Sequence, residues 1–249
     1  MNSDALEAQD DLASLFGDFY DTKWKHTDTF EPGQIVRLPV PEPRRRPWIG
    51  EVMREDGRSH TNATILIREQ NEADFRGRLE RLPIAALKLE AQHELMIARG
   101  KIRPCLVLGS TSEINCRTLP AGTERNKALN AFPKHYLLAP IFSTTRPNEP
   151  RAFGPTLTAR IRGLMHPEFF YLKRSGIILK WPGVARLDRI FSNELVGCES
   201  TDLKLQDKVL AVLLEQTRIL LGGAPSTEYL ELRELLVQFI PEGCMKIAE

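Results

Sequence analysis

Arginine is the residue type that recurs wherever this sequence could do chemistry. Arg44-Arg45-Arg46 stands in a stretch that also holds Pro39, Pro41, Pro43 and Pro47. A guanidinium stays charged and can grip two phosphate oxygens at once, so this triplet reads either as a phosphate contact or as a solvated charge run. Arg103 precedes Pro104, which biases it to an extended conformation at the entrance of an apolar run. From there its side chain can point into a groove; the plainer reading is a surface arginine beside a turn. His135 and His166 can move protons near neutral pH, although a lone loop histidine is more often solvated. Trp48 and Trp181 offer faces on which bases stack, with core packing the commoner use of both.

Several other chemistries are disfavoured. There is no phosphate-binding G-x-x-x-x-G-K-[ST], no G-x-G-x-x-G and no H-E-x-x-H. The cysteines Cys105, Cys116, Cys198 and Cys244 show no C-x-x-C spacing, and no Cys/His pair is spaced for a zinc finger. Lys and Arg total 34 against 33 Asp and Glu, a net charge of +1, so bulk charge implies no polybasic mode of nucleic-acid binding. No apolar run is long enough to span a bilayer. Met1 to Leu12 is acidic and polar rather than a signal peptide, and the expected location is the cytoplasm, with reduced thiols.

Candidate residues need elements to hold them. With 249 residues the chain fits one large domain or two small ones, and the expected class is mainly β with α additions. Residues 3–20 read as a short helical arm, with Ser3 as cap, Leu6, Leu12, Leu15 and Phe16 as an apolar stripe, and Gly17 as its end. Residues up to 29 read as a tether anchored by Trp24. Pro32-Gly33 is a turn signal before a strand at 34–38, and the proline-rich stretch that follows reads as an exposed loop. Residues 48–54 and 62–68 pair as a hairpin, and 78–83 suggests an edge strand. Residues 33–90 thus look like a small bent barrel, or equally an insertion within a larger one. Apolar strands follow at 105–109 and 136–141, then a loop-rich stretch at 146–160, and paired strands at 168–173 and 176–181. Asp202 to Leu221 reads as the strongest helix, capped by Asp202 and stopped by Gly222-Gly223, and Ser226 to Ile240 as a last helix. The expected divisions are 1–29 (arm), 30–92 (β-rich module), 93–222 (barrel with closing helix) and 223–249 (helical extension).

The order of certain pieces resembles the PemK/MazF family of toxin endoribonucleases. They are Pro-Gly-Gln-Ile-Val at 32–36, Lys-Ile-Arg-Pro-Cys-Leu-Val-Leu at 101–108, and Leu-Leu-Ala-Pro-Ile-Phe-Ser at 137–143. Gly-Ile-Ile-Leu at 176–179, Val-Ala-Arg-Leu-Asp at 184–188 and Lys208-Val209-Leu210 in the closing helix complete the set. Family chains are usually near half this length, and here residues 39–102 replace a short loop. The family's acidic–amide pair falls on Pro182 and Gly183, and its turn arginine on Ala185, with Arg186 one step on.

The resemblance implies an SH3-like small barrel that cleaves single-stranded RNA, the ribose 2′-hydroxyl attacking its own phosphate without metal or cofactor. The protein must then position the phosphate, stabilise added negative charge and move protons. It implies Arg103 as the charge stabiliser, Ser143 as a hydroxyl donor to the phosphate, and Arg186 as substitute for the displaced arginine, unless Arg186 simply pairs with Asp188. Arg37, Thr144 and His135 are the implied RNA contacts. Implied partners are RNA, an antitoxin protein and a second copy of the chain; the acidic Met1–Asp21 arm suits an RNA groove by charge. The rival is a catalytically silent barrel that binds nucleic acid or protein, and a third reading makes 33–90 a separate adaptor barrel.

Overall fold

The computed structural model describes residues 12–27, 29–42, 46–53, 64–75, 95–110, 122, 124, 135–144 and 153–245. Expectations for Ser3, Leu6, Arg44, Arg45, Cys116 and residues 78–83 lie outside these. The architecture is mainly β with several helices. Helix α1 (Leu12–Phe16) is followed by strands β1 (Gln34–Pro41), β2 (Trp48–Met53) and β3 (Thr64–Glu69) and a 3-10 turn at Glu72–Phe75. Strands β4 (Leu95–Ile97), β5 (Gly100–Ser110) and β6 (Tyr136–Ser143) lead to helix α2 (Pro155–Arg162). Strands β7 (Phe169–Leu172), β8 (Gly183–Arg186), β9 (Phe191–Asn193) and β10 (Glu199–Lys204) come next. Helices α3 (Asp207–Leu220), α4 (Thr227–Val237) and α5 (Glu242–Met245) close the chain. The chain divides into two compact units, Met1–Leu38 with Arg103–Glu249, and Pro39–Ile102.

The larger unit is built on a sheet of order β10-β1-β5-β6-β8-β7, with β9 also paired to β6. Its described hydrogen-bonded path begins at β10 and ends at β7. Cys105-Leu106-Val107 pairs antiparallel with Pro140-Ala139-Leu138, and all six are apolar or small because both faces are covered. One face carries Leu106, Ala139, Ile141, Phe170, Leu172 and Ala185 and packs on Val209, Val212 and Leu213 of α3. Each of the larger side chains among these, withdrawn from water, contributes roughly 1.5–3 kcal/mol. The opposite face carries Phe142, Val184, Phe169 and Tyr171 beneath Phe153 and Ile161.

Gly33 shows why the Pro-Gly turn is needed. Its φ is +85°, its N–H donates to Val107 O, and a Cβ would lie 3.3 Å from Leu210 Cδ1. The strand it opens belongs to the larger sheet, between β10 and β5. That strand runs on through Pro39 to Pro41, where the sequence suggested a loop. The described pairing with β10 stops at Arg37–Glu199, so the missing N–H groups of Pro39 and Pro41 cost no ladder bond on that side.

Three further expectations are corrected. Asp202 does not cap the long helix but sits in β10, where its carboxylate accepts from His26 N at 3.0 Å and from Lys25 Nζ at 3.3 Å. Helix α3 begins five residues later, its first turn following Gln206. Residues 176–181 form bends rather than a strand, and β7 pairs instead with β8. The proline-rich 146–160 stretch hides α2, which begins with Pro155 at its first position, where the absent N–H is harmless. Helix α4 starts where the sequence places it, Ser226 Oγ accepting from Tyr229 N at 3.3 Å.

The smaller unit holds a three-stranded antiparallel sheet, β3-β2-β4, so the 48–54/62–68 hairpin forms in full register from Trp48–Glu69 to Met53–Thr64. Arg68 ties it together, donating to Glu51 Oε2 at 2.9 Å and to both carboxylate oxygens of Asp74, at 2.9 and 2.5 Å.

Candidate nucleic-acid interface

The sheet face beneath Phe153 and Ile161 is where the arginines gather. Alternation along β6 and β8 places Phe142, Val184 and Arg186 on this face and Ile141 and Ala185 on the other. Arg103, across β5, lays its guanidinium 4.5 Å from the Phe142 ring centroid. Arg189, from the 3-10 turn Leu187–Arg189 that follows β8, approaches the same ring at 5.9 Å. Arg186 lies 4.8 Å from the ring of Phe169, its directly paired neighbour on β7, and Arg162 of α2 lies 5.1 Å from Tyr171. Four guanidiniums thus rest on three rings, all of them attached to one sheet face. Each contact is a cation–π pair, which flattens the guanidinium against an aromatic ring; Arg162 is buried, and the Arg186 fork is taken by Asp188.

Asp188 meets this face, accepting from Arg186 Nε at 2.6 Å and from Arg186 Nη2. That fork holds the Asp188 carboxyl below its usual range, with Arg189 nearby adding to the effect. At the rim, His166 Nδ1 lies 3.3 Å from Glu168 Oε1, and its ring centroid is 6.1 Å from that of Phe169. Beneath Arg103, burial pushes the Cys105 thiol up to about 12 against the opposing pull of the guanidinium, so this sulfur is no nucleophile near neutrality.

The sequence-selected residues separate into two groups. Arg103 and Arg186 are brought to the same face. Two strand spacings of about 4.8 Å lie between their strands. Ser143 is not brought to them. It follows Phe142 in an extended strand and pairs with Gly183, so its side chain is directed to the opposite face. Thr144 is buried, and its hydroxyl donates to Pro182 O at 3.1 Å, the backbone-capping use of such a group. Arg37 lies on β1, where Nη1 pairs with Glu199 at 3.1 Å. His135 stands beside β9, Nδ1 3.1 Å from Ser192 Oγ and Nε2 3.5 Å from Glu194. Arg186 takes the ion pair with Asp188 that its spacing offered.

Gly183 marks a close approach between β8 and β6. A Cβ there would lie 2.8 Å from Ile141 Cγ2 and 3.4 Å from Phe142 O, so β8 approaches β6 too closely for an amide or acidic side chain at this position. Sequence reading missed Arg162, Arg189 and the three rings. The signal was present in Phe169-Phe170-Tyr171-Leu172, whose alternation assigns Phe169 and Tyr171 to one face. Arg162 was hidden because prolines suggested a loop where α2 stands.

Among the described residues no group of three or more His, Cys, Asp and Glu side chains is placed to hold a metal ion, and no helix is long and apolar enough to cross a membrane. Cys105, Cys198 and Cys244 are free thiols. Comparisons with models of protein families, with curated proteins and with solved structures find no match for this chain.

Proposed function

We propose that this protein binds single-stranded RNA on the arginine-covered aromatic face, using a small barrel of the PemK/MazF type. The observation that carries the reading is the set of four guanidiniums over Phe142, Phe169 and Tyr171. The positive charge of Arg103 and Arg189 draws phosphates to the edge of this face, and the partly exposed rings of Phe142 and Phe169 suit unstacked bases. Most of the pieces that suggested the family, in β1, β5, β6, the β8 turn and α3, fall in the larger unit, which supports a common architecture. On this reading the chain works in the cytoplasm, pairs with a second copy and is restrained by an antitoxin-like protein. Fluorescence anisotropy with a mixed-sequence single-stranded RNA in EDTA tests it. Affinity should fall linearly with salt on logarithmic axes, and Arg103→Ala with Arg189→Ala should flatten that slope by about 1.4. Absence of binding at low salt, or an unchanged slope in the double variant, sinks the proposal.

Metal-independent cleavage of the bound RNA is the second reading. Asp188 beside Arg186, with His166 and Glu168 at the rim, favours it by placing acid–base side chains beside the arginines. Against it stand Ser143 on the far face and Thr144 spent on Pro182. The same EDTA incubation decides: RNA shortened by wild type and left intact by Asp188→Asn supports cleavage, and RNA recovered at full length at high protein concentration excludes it.

A further inference from the structure

We infer that the smaller unit carries a separate pocket for a guanine nucleotide, built around Trp48. A cavity of about 380 Å3 is lined by Arg46, Pro47, Trp48, Glu69 and Gln70, within the size range of small-ligand sites. The pocket stands apart from the arginine-covered sheet face in composition and in unit, so the two proposals succeed or fail independently.

Three features make this lining specific. Arg99 lies 4.8 Å from the centre of the Trp48 ring yet does not line the cavity, so its guanidinium covers indole surface outside the pocket. It thereby fixes the ring as a stacking platform for an aromatic base. Glu69 is the residue directly opposite Trp48 in the β2–β3 register, which sets a carboxylate beside the platform at a separation fixed by the sheet. Among the described residues Glu69 has no side-chain partner, while the neighbouring Arg68 is already committed to Glu51 and Asp74. Gln70 adds an amide and Arg46 an exposed cation.

The carboxylate selects the base. Guanine presents N1–H and an N2–H side by side, and two carboxylate oxygens accept both. Adenine and cytosine place a ring-nitrogen lone pair next to their amino group, and uracil sets one N–H between two carbonyls. Each of these turns a lone pair towards an oxygen anion. The Gln70 amide N–H complements the guanine O6, and Arg46 suits the phosphate of a nucleotide.

The test is calorimetric titration of the full chain with GMP, AMP, CMP and UMP. GMP should bind about tenfold or more tightly than AMP, the discrimination expected of one bidentate pair. Glu69→Gln should bring the two within about twofold, because an amide sets an N–H donor where the carboxylate has its second acceptor oxygen. Trp48→Ala should weaken GMP about fivefold or more, with Trp48→Phe restoring it and reporting that the sheet still folds. Equal binding of the four nucleotides, no heat with millimolar GMP, or an intact preference in Glu69→Gln overturns the pocket. Arg103→Ala and Arg189→Ala should leave GMP affinity unchanged, so that losing RNA binding through the sheet face does not touch this result.

Discussion

The two sheets of this chain use the same strand chemistry to opposite ends. In the larger one, Cys105, Leu106, Val107, Leu138 and Ala139 are at most marginally exposed, because α3 covers one face and further side chains close the other. In the smaller one, Ile65, Leu66 and Ile67 of β3 stand 41%, 51% and 55% exposed. Apolar β-branched residues therefore do not by themselves report a core here. Helix α3 packs on the larger sheet. In the smaller one, Arg68 links Glu51 and Asp74.

Truncation should break that comparison most visibly. Leu213, fully buried on α3 against the larger sheet, should cost about 2–5 kcal/mol as Leu213→Ala. Ile67→Ala should cost no more than about 0.5 kcal/mol. Urea midpoints measure both, and equal losses would mean that the small sheet is as deeply supported as the large one. Glycines give the next effect. Gly183→Ala drives a Cβ against Ile141 Cγ2 at 2.8 Å, a stiff β-branched neighbour, with backbone behind it. Gly50→Ala meets Leu95 Cδ2 at 2.7 Å, the far end of a side chain that can swing away. We expect about 1–3 kcal/mol for the former, in the range of overpacked sites, and clearly less for the latter. A reversed order in thermal unfolding would show that Leu95 is pinned.

Much of the larger unit was legible because its signals are local. The Pro32-Gly33 turn, the apolar runs of β5 and β6, the Ser226 cap and the Gly222 stop each rest on neighbours in sequence. What was not legible depends on partners distant in the chain. Asp202 looks like a helix cap until β10 pairs with β1, and Pro39 and Pro41 look like a loop until it is known that β10 ends short of them. The candidate site shows the same division. Arg103 and Arg186 were identifiable by position, but their rings, Phe142 and Phe169, come from other strands. The supposed alliance of Arg103 with Ser143 failed on the pleat, a one-residue matter that only register decides.

The smallest expected effect concerns the ion pair that each sheet keeps. Asp188 accepts the Arg186 fork at a partly exposed site, so its contribution to stability is modest, about 1 kcal/mol or less. Because Arg186 holds the Asp188 carboxyl below its usual range, that contribution is present above the unfolded value near pH 4 and disappears as pH falls through the lower folded value. Asp188→Asn should therefore be slightly less stable than wild type at pH 7, and the gap should close towards pH 3. The substitution also removes the acid from the arginine face and frees the Arg186 fork, so single-stranded RNA should bind a few-fold tighter at low salt. Asp74→Asn gives the contrast: the Asp74 side chain is only 2% exposed and holds both Arg68 and the Asn71 N–H, so its loss should loosen the small sheet and leave RNA affinity alone. If RNA affinity instead responds to Asp74→Asn and ignores Asp188→Asn, the anion site belongs to the exposed sheet and the aromatic face serves packing.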